Sequence, residues 1–203
     1  MNAEARPRAF LLKAGCLVRD EDGNVLDARS SVTLILAGPK KIVVDTGRED
    51  EAGQVAEALA AHGLSTEEID MVINTHDHSD HCGSNRLFTR AQVLSGKVEA
   101  EDGGEVGLKE GDLVAPGVWI METPGHTPDS ISVVCESGSR IVIAGDALPL
   151  MRNYLKWVPP RLHVDRELAM MSMEKIVEVA DLVVPGHDHP FSVLERTRVT
   201  GLG

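Results

Sequence analysis

Apolar residues along this 203-residue chain fall into short, β-branched runs, each closed by Gly, Pro, Asp, Ser or His. The first half carries FLLKAGCLV (10–18), SVTLILA (31–37), KIVVDTG (41–47), MVINTH (71–76) and AQVLS (91–95). The second half carries GVWIMETPGH (117–126), ISVVCES (131–137), RIVIAGD (140–146) and LVVPGH (182–187). Runs of this length bounded by turn formers predict strands. Helical spacing is confined to three stretches. Residues 49–64 set Val55, Leu59 and several alanines on one stripe, and 84–88 is a shorter candidate. Residues 165–180 open on Asp165 as N-cap and set Leu168, Met171, Ile176 and Val179 on one side. Strands outnumber helices and arrive in groups ahead of each helix. That order predicts an α+β chain of packed sheets with helices outside, rather than a βα barrel. No internal repeat or linker is visible, so a single domain over 1–203 is expected. Residues 147–164 form the longest stretch without a period and are expected to be a functional loop.

Composition narrows the picture. With 42% hydrophobic and only 3% aromatic residues, the core is expected to be built from Val, Leu, Ile, Ala and Met. A formal net charge of −12 argues against a general nucleic-acid-binding surface, which would be basic. Cys16, Cys82 and Cys135 are an odd number with no CxxC spacing, which reads as buried thiols in a reducing compartment rather than a disulfide framework. The N-terminal stretch lacks a signal-peptide layout, and no run approaches the roughly 20 apolar residues of a membrane span. A cytoplasmic protein with no membrane partner is the expectation.

The candidate chemistry lies in NTHDHSDHCGS, 74–84, which gathers three of the eight histidines. His76 ends a strand-like run. In an extended backbone His76 and His78 point to one side and can share an ion, while Asp77 and Ser79 point away. A turn after His78 would aim Asp80 and His81 at a neighbouring ion. His126, Asp146 and His187 also end apolar runs, so all these side chains can meet at one edge of the sheets. Imidazole and carboxylate suit zinc, with manganese or iron as alternatives. His189, two residues past His187, competes with it and is assigned to the rim; His62 is read as a helix-end residue.

The ordered set HxHxDH, TPGH, AGD and PGH, with the upstream VVDTG, resembles the metallo-β-lactamase superfamily over nearly the whole chain. The resemblance implies a four-layered αββα sandwich with two divalent ions at one edge. It puts His76, His78 and His126 on the first ion. Asp80, His81 and His187 go on the second, Asp146 bridges both, and Asp45 supports the loop that carries them. It further implies a hydrolase in which a metal-bridging hydroxide, oriented by Asp80, attacks an ester, thioester, lactone or phosphodiester. Among small members, VADLVVPGHDHPFSVL looks most like the metallo-β-lactamase domain-containing protein 1 group, associated with RNA cleavage, so a phosphodiesterase acting on single-stranded RNA is the alternative to a small-molecule substrate. An iron-dependent sulfur dioxygenase is a further alternative that the complete second ligand set disfavours, and a homodimer is a further option. Within 147–164, Arg152, Tyr154, Lys156 and Trp157 are the expected substrate contacts, favouring an anionic substrate.

Overall fold

The computed structural model describes residues 6–99 and 105–193. The apolar runs form two sheets. The first holds β1 (Arg8–Lys13), β4 (Val32–Ala37), β5 (Lys40–Val44), β6 (Met71–Ile73) and β7 (Gln92–Leu94), in that order across the sheet. The second runs β10 (Leu113–Ala115), β11 (Val118–Glu122), β12 (Ile131–Glu136), β13 (Arg140–Gly145), β14 (Leu182–Pro185) and β15 (Phe191–Ser192). Two separate ladders pair β2 (Cys16–Arg19) with β3 (Val25–Arg29), and β8 (Val98–Glu99) with β9 (Glu105–Val106). The helices are α1 (Ala52–Ala61), α2 (Ser79–Cys82), α3 (Met151–Lys156) and α4 (Arg166–Val179).

Alternation along the strands separates the layers. Ile35, Ile42, Val44 and Ile73 of the first sheet share one core with Ile120, Val133, Cys135 and Ile143 of the second. Their neighbours face outward. Leu34, Val43 and Val72 pack on Val55 and Leu59 of α1. Val134, Val142 and Val183 pack on Met173 and Ile176 of α4. The result is the αββα sandwich expected from the sequence. Each sheet contains an antiparallel hairpin followed by a helical crossover to a parallel strand: β4–β5–α1–β6 in one, β12–β13–α4–β14 in the other. This repeated topology leaves no repeat in the sequence.

Register sets the site. Val44 lies level with Ile73, so Asp45 and the 74–78 loop emerge side by side. Gly145 lies level with Pro185, so Asp146 and His187 emerge together. The two sheets are tied at this edge: Ser31 donates from N to the Gly186 carbonyl (2.7 Å) and from Oγ to the Pro185 carbonyl (2.7 Å), and Ile131 N donates to the Thr75 carbonyl (2.9 Å).

Four expectations change. Of the three cysteines only Cys135 is buried, in the shared core; Cys16 is exposed because it lies on the two-stranded β2–β3 hairpin, and Cys82 is half-buried. The 10–18 run is two strands in different sheets, because Gly15 sits against the Gly186 carbonyl (2.3 Å from an ideal Cβ) and the chain breaks there. The 147–164 stretch is not all loop: α3 occupies Met151–Lys156, with Met151 N bonded to Asp188 Oδ2 (3.1 Å). Helix α4 takes Asp165 as N-cap as expected, its Oδ1 accepting from the amides of Glu167 (2.8 Å) and Leu168 (3.0 Å). Its buried stripe, however, is Ala169, Ser172, Met173 and Ile176, while Leu168 and Met171 are exposed. Gly125 causes the rotation. A Cβ there would fall 2.3 Å from Ala169 N, so only glycine lets the helix seat Ala169 on the TPGH turn.

Candidate metal centre

The 74–81 loop is clasped before any ion is considered. Asp45 turns into the left-handed region (φ 55°), which Asp tolerates better than most residues. Its buried carboxylate accepts from Thr75 N (2.8 Å), Thr75 Oγ1 (2.9 Å) and His81 Nδ1 (2.7 Å). Thr46 N donates to the His81 carbonyl (2.7 Å), and Ser84 Oγ to the Arg48 carbonyl (2.6 Å). The DTG turn thereby fixes both the loop and the short helix α2 that carries Asp80 and His81.

Two groups of ligand atoms result. In the first, His78 Nδ1 lies 2.9 Å from His76 Nε2 and 3.1 Å from His126 Nε2. Nitrogens bound at 2.0–2.1 Å in a tetrahedron stand roughly 3.3 Å apart, so this spacing suits one cation. In the second, Asp80, His81 and His187 bring their ligand atoms within 4.8 Å of one another. Asp146 touches both: its Oδ2 is 3.4 Å from His126 Nε2, while its Oδ1 is 3.1 Å from His187 Nε2 and 3.4 Å from His81 Nε2. His81 Nε2 and Asp146 Oδ1 are buried without a hydrogen-bond partner among the described residues. Such atoms are costly unless something else satisfies them, and a cation between them would. The residues present therefore fit a metal.

Outer partners set the tautomers. His126 Nδ1 donates to the Leu162 carbonyl (2.7 Å) and His187 Nδ1 to the Arg29 carbonyl (2.9 Å), leaving Nε2 of each for the site. His81 does the same through Asp45. Such partners orient metal-binding imidazoles. Burial, then the nearby His81, drives the pKa of His76 far below the ordinary histidine value; burial and His126 push His78 down too. Both present lone pairs. Burial works against charge on His81, but Asp45 and Asp146 outweigh it and hold its pKa well above 6.5; Asp146 also raises His187 against its burial. In the metal-free protein His81 holds a proton that a cation must displace, and His187 gives its proton up less readily than an ordinary histidine. Metal affinity should therefore rise with pH through and above neutrality, with proton release visible as a buffer-dependent calorimetric enthalpy. A pH-independent affinity would contradict this.

Of the two C-terminal histidines, His187 is buried in the site and His189 is exposed. His187→Ala should lose one equivalent of metal and His189→Ala none, by elemental analysis; the reverse result would reassign the ligand. The four residues expected at the substrate lie elsewhere. Helix α3 turns Arg152 and Lys156 to solvent, Tyr154 stacks on Phe191 (centroids 5.3 Å), and Trp157 packs beside the same cluster. The cavity of about 220 Å³ over the histidines is walled instead by Leu17, Arg19, Val25 and Ala28 of the β2–β3 hairpin and by Pro160, Arg161 and Leu162. The Asp22–Gly23 pair between two apolar stretches is the sequence signal that marks this hairpin.

The family model of the metallo-beta-lactamase superfamily matches residues 27–118 and 96–187. The chain belongs to this superfamily. Within it, a probable metallo-hydrolase of Methanocaldococcus jannaschii is 40% identical over 180 residues, 88% of this chain and 85% of its own length. Metallo-beta-lactamase domain-containing protein 1 of Xenopus laevis is 33% identical over 88% of this chain and 78% of its own length. An N-acyl homoserine lactonase of a Bacillus species is 30% identical over 68% and 63%. A metallo-beta-lactamase-like structure from Thermotoga maritima superposes with a TM-score of 0.71 at 21% identity, over 92% of this chain and 99% of that one. Membership together with the metallo-hydrolase and lactonase relatives identifies the protein as a metal-dependent hydrolase. No described helix is long and apolar enough to cross a membrane.

Proposed function

We propose that this protein holds two divalent cations, zinc in the first instance, and hydrolyses a small ester, thioester or lactone. The observation that carries the reading is Asp146, whose two carboxylate oxygens face different histidine groups. When bound, a pair of such ions polarises a carbonyl oxygen and makes water acidic enough to attack near neutral pH. The chain supplies the rest. Asp80, with Oδ2 at 3.5 Å from His187 Nε2, lines the cavity and is placed to accept a hydrogen bond from the attacking water and pass its proton toward the leaving group. The residues lining the cavity include no Ser, Thr or Cys, so direct attack by water fits better than a covalent acyl intermediate. Leu17, Val25, Leu162 and the two prolines give the cavity an apolar wall beside the ligand atoms, suited to the hydrocarbon part of an acyl group.

An acyl substrate is favoured over RNA by the size and apolar walls of the cavity, which is smaller than the roughly 300 Å³ at which drug-sized sites begin. The lactonase relative supports the same class. The deciding experiment is a hydrolysis panel on zinc-loaded protein: thioesters, lactones, bis-p-nitrophenyl phosphate and single-stranded RNA, with oxygen consumption followed in parallel. Acyl hydrolysis at two metal equivalents is expected. Turnover of RNA alone, oxygen uptake, or loading that never exceeds one equivalent would overturn the proposal.

A further inference from the structure

Two guanidinium groups stand on the same cavity as the histidines and are not used by the chemistry above. Arg19 closes strand β2, and Arg161 lies in the segment between α3 and α4. Both lean on the backbone of the hairpin turn. Arg19 donates to the Gly23 carbonyl (2.9 Å) and Arg161 to the Asp22 carbonyl (3.5 Å). A Cβ on Gly23 would fall 1.7 Å from an Arg161 terminal nitrogen, so the guanidinium lies directly on the turn at a place where any side chain would displace it. The tip of the hairpin and the 157–164 segment thus meet over the cavity with an arginine from each.

Neither arginine pairs with a carboxylate among the described residues. What sets these two apart from other arginines without such a partner is their place on the wall of the cavity that holds the histidines. The acids nearest in sequence do not reach them. Asp20 is taken by the amide and side chain of Asn24, and Glu21 and Asp22 are exposed. The two carboxylates on the same cavity, Asp80 and Asp146, face the histidines. A guanidinium has five N–H donors, and each of these spends one on a carbonyl. The remaining donors suit a carboxylate, which arginine binds through two parallel hydrogen bonds.

We propose that Arg19 and Arg161 form an anion subsite, so that the preferred substrate is an acyl ester or thioester with a carboxylate at the end of its acyl chain remote from the scissile bond. The inference rests on the hydrolase reading above. It replaces Arg152 and Lys156, which face solvent, with two arginines that border the cavity, as the source of a preference for anions.

The test compares p-nitrophenyl butyrate with p-nitrophenyl hydrogen glutarate on zinc-loaded protein, and measures calorimetric binding of butyrate and glutarate. Wild type should show the lower KM for the glutarate ester and bind glutarate more tightly than butyrate, with both preferences shrinking as salt is added. Arg161→Met, at an exposed position, should raise KM for the glutarate ester by roughly ten-fold, the usual scale for losing a hydrogen bond to a charged group. The neutral ester should change much less. Arg19→Lys should retain part of the preference and Arg19→Met lose it, with unchanged circular dichroism. Because glutarate can also reach the metals, the decisive quantity is the glutarate-to-butyrate ratio, which should collapse toward one in the double variant. Equal binding of both acids by wild type, or a ratio unchanged in the double variant, overturns the subsite. Failure to cleave either ester would count against the hydrolase reading, while the calorimetric ratio still decides the subsite.

Discussion

Asp146→Ala is expected to abolish turnover while leaving the sandwich folded. The side chain lies at the end of β13, beyond the core that the two sheets share, and its oxygens are within 3.1–3.4 Å of three imidazole nitrogens from two ligand groups. Truncation removes no buried apolar contact. In the metal-free protein His187 and His81 hold the Asp146 carboxyl well below its ordinary pKa against the effect of burial, and it holds their protons in return. Without it His187 loses the carboxylate that raises it, while His81 keeps Asp45 at 2.7 Å, so both should titrate lower, His81 the less completely, and the fold should survive. On the two-ion reading, the variant loses the one group that sets the ions side by side. Losing an outer partner of a metal ligand costs roughly 10–100-fold, and loss of the bridge itself should exceed that. The measurements are kcat, elemental analysis and the circular dichroism spectrum. A variant that binds two equivalents and keeps wild-type kcat would remove Asp146 from the bridging role.

Lys13→Met should produce a large loss of stability. Lys13 Nζ is 2.9 Å from Glu51 Oε1 and donates to the Ser30 carbonyl (2.6 Å), and the two charged side chains are 7% and 2% exposed. Removing one member of a buried pair strands the other charge, at about 3–5 kcal/mol. Glu51 keeps partial compensation from Arg29 (3.4 Å) and from the Arg48 amide (3.0 Å), which places the expectation at about 3 kcal/mol. For a chain of this size that is a fall in Tm of about 6–12 °C. Replacing both partners, Lys13→Met with Glu51→Leu, should recover most of it, because two well-packed apolar groups avoid the desolvation cost altogether. Chemical denaturation of the single and double variants supplies the coupling energy. A single variant within about 1 kcal/mol of wild type would mean that the pair is effectively solvated. The pair also bears on the site, since Ser30 follows Arg29, whose carbonyl orients His187.

What the sequence revealed followed from residue types whose chemistry is local. HxHxDH, TPGH, AGD and PGH each follow an apolar run, and a strand that ends in a ligand delivers that ligand to the sheet edge. Asp45 was legible only through the resemblance that its DTG turn helps to carry, since an aspartate at a strand end is by itself an ordinary turn residue. The missed features depend on backbone or on distant packing. The carbonyls of Leu162 and Arg29 that fix His126 and His187 could belong to any residue. The burial of Ala169 rather than Leu168 is decided by Gly125, more than forty positions away in the chain. Within 147–164 the aromatic and basic residues drew attention, but the short helix α3 spends Tyr154 on Phe191 and turns the charges outward. Arg19 and Arg161 carried no signal because their meeting place over the cavity exists only once the hairpin folds across it.

The bonds that tie Ser31 to Pro185 and Gly186 have a consequence in time. They join segments at opposite ends of the chain, and the ligand atoms are complete only after both sheets have formed and docked. Contacts between such distant segments are slow to close, so this edge assembles late on the folding route. An ion that binds only the finished edge lowers the energy of the native state without touching the barrier that precedes it. Its influence therefore falls on the rate of opening rather than of closing: once loaded, the protein becomes long-lived against heat and proteases, although it refolds no faster than before.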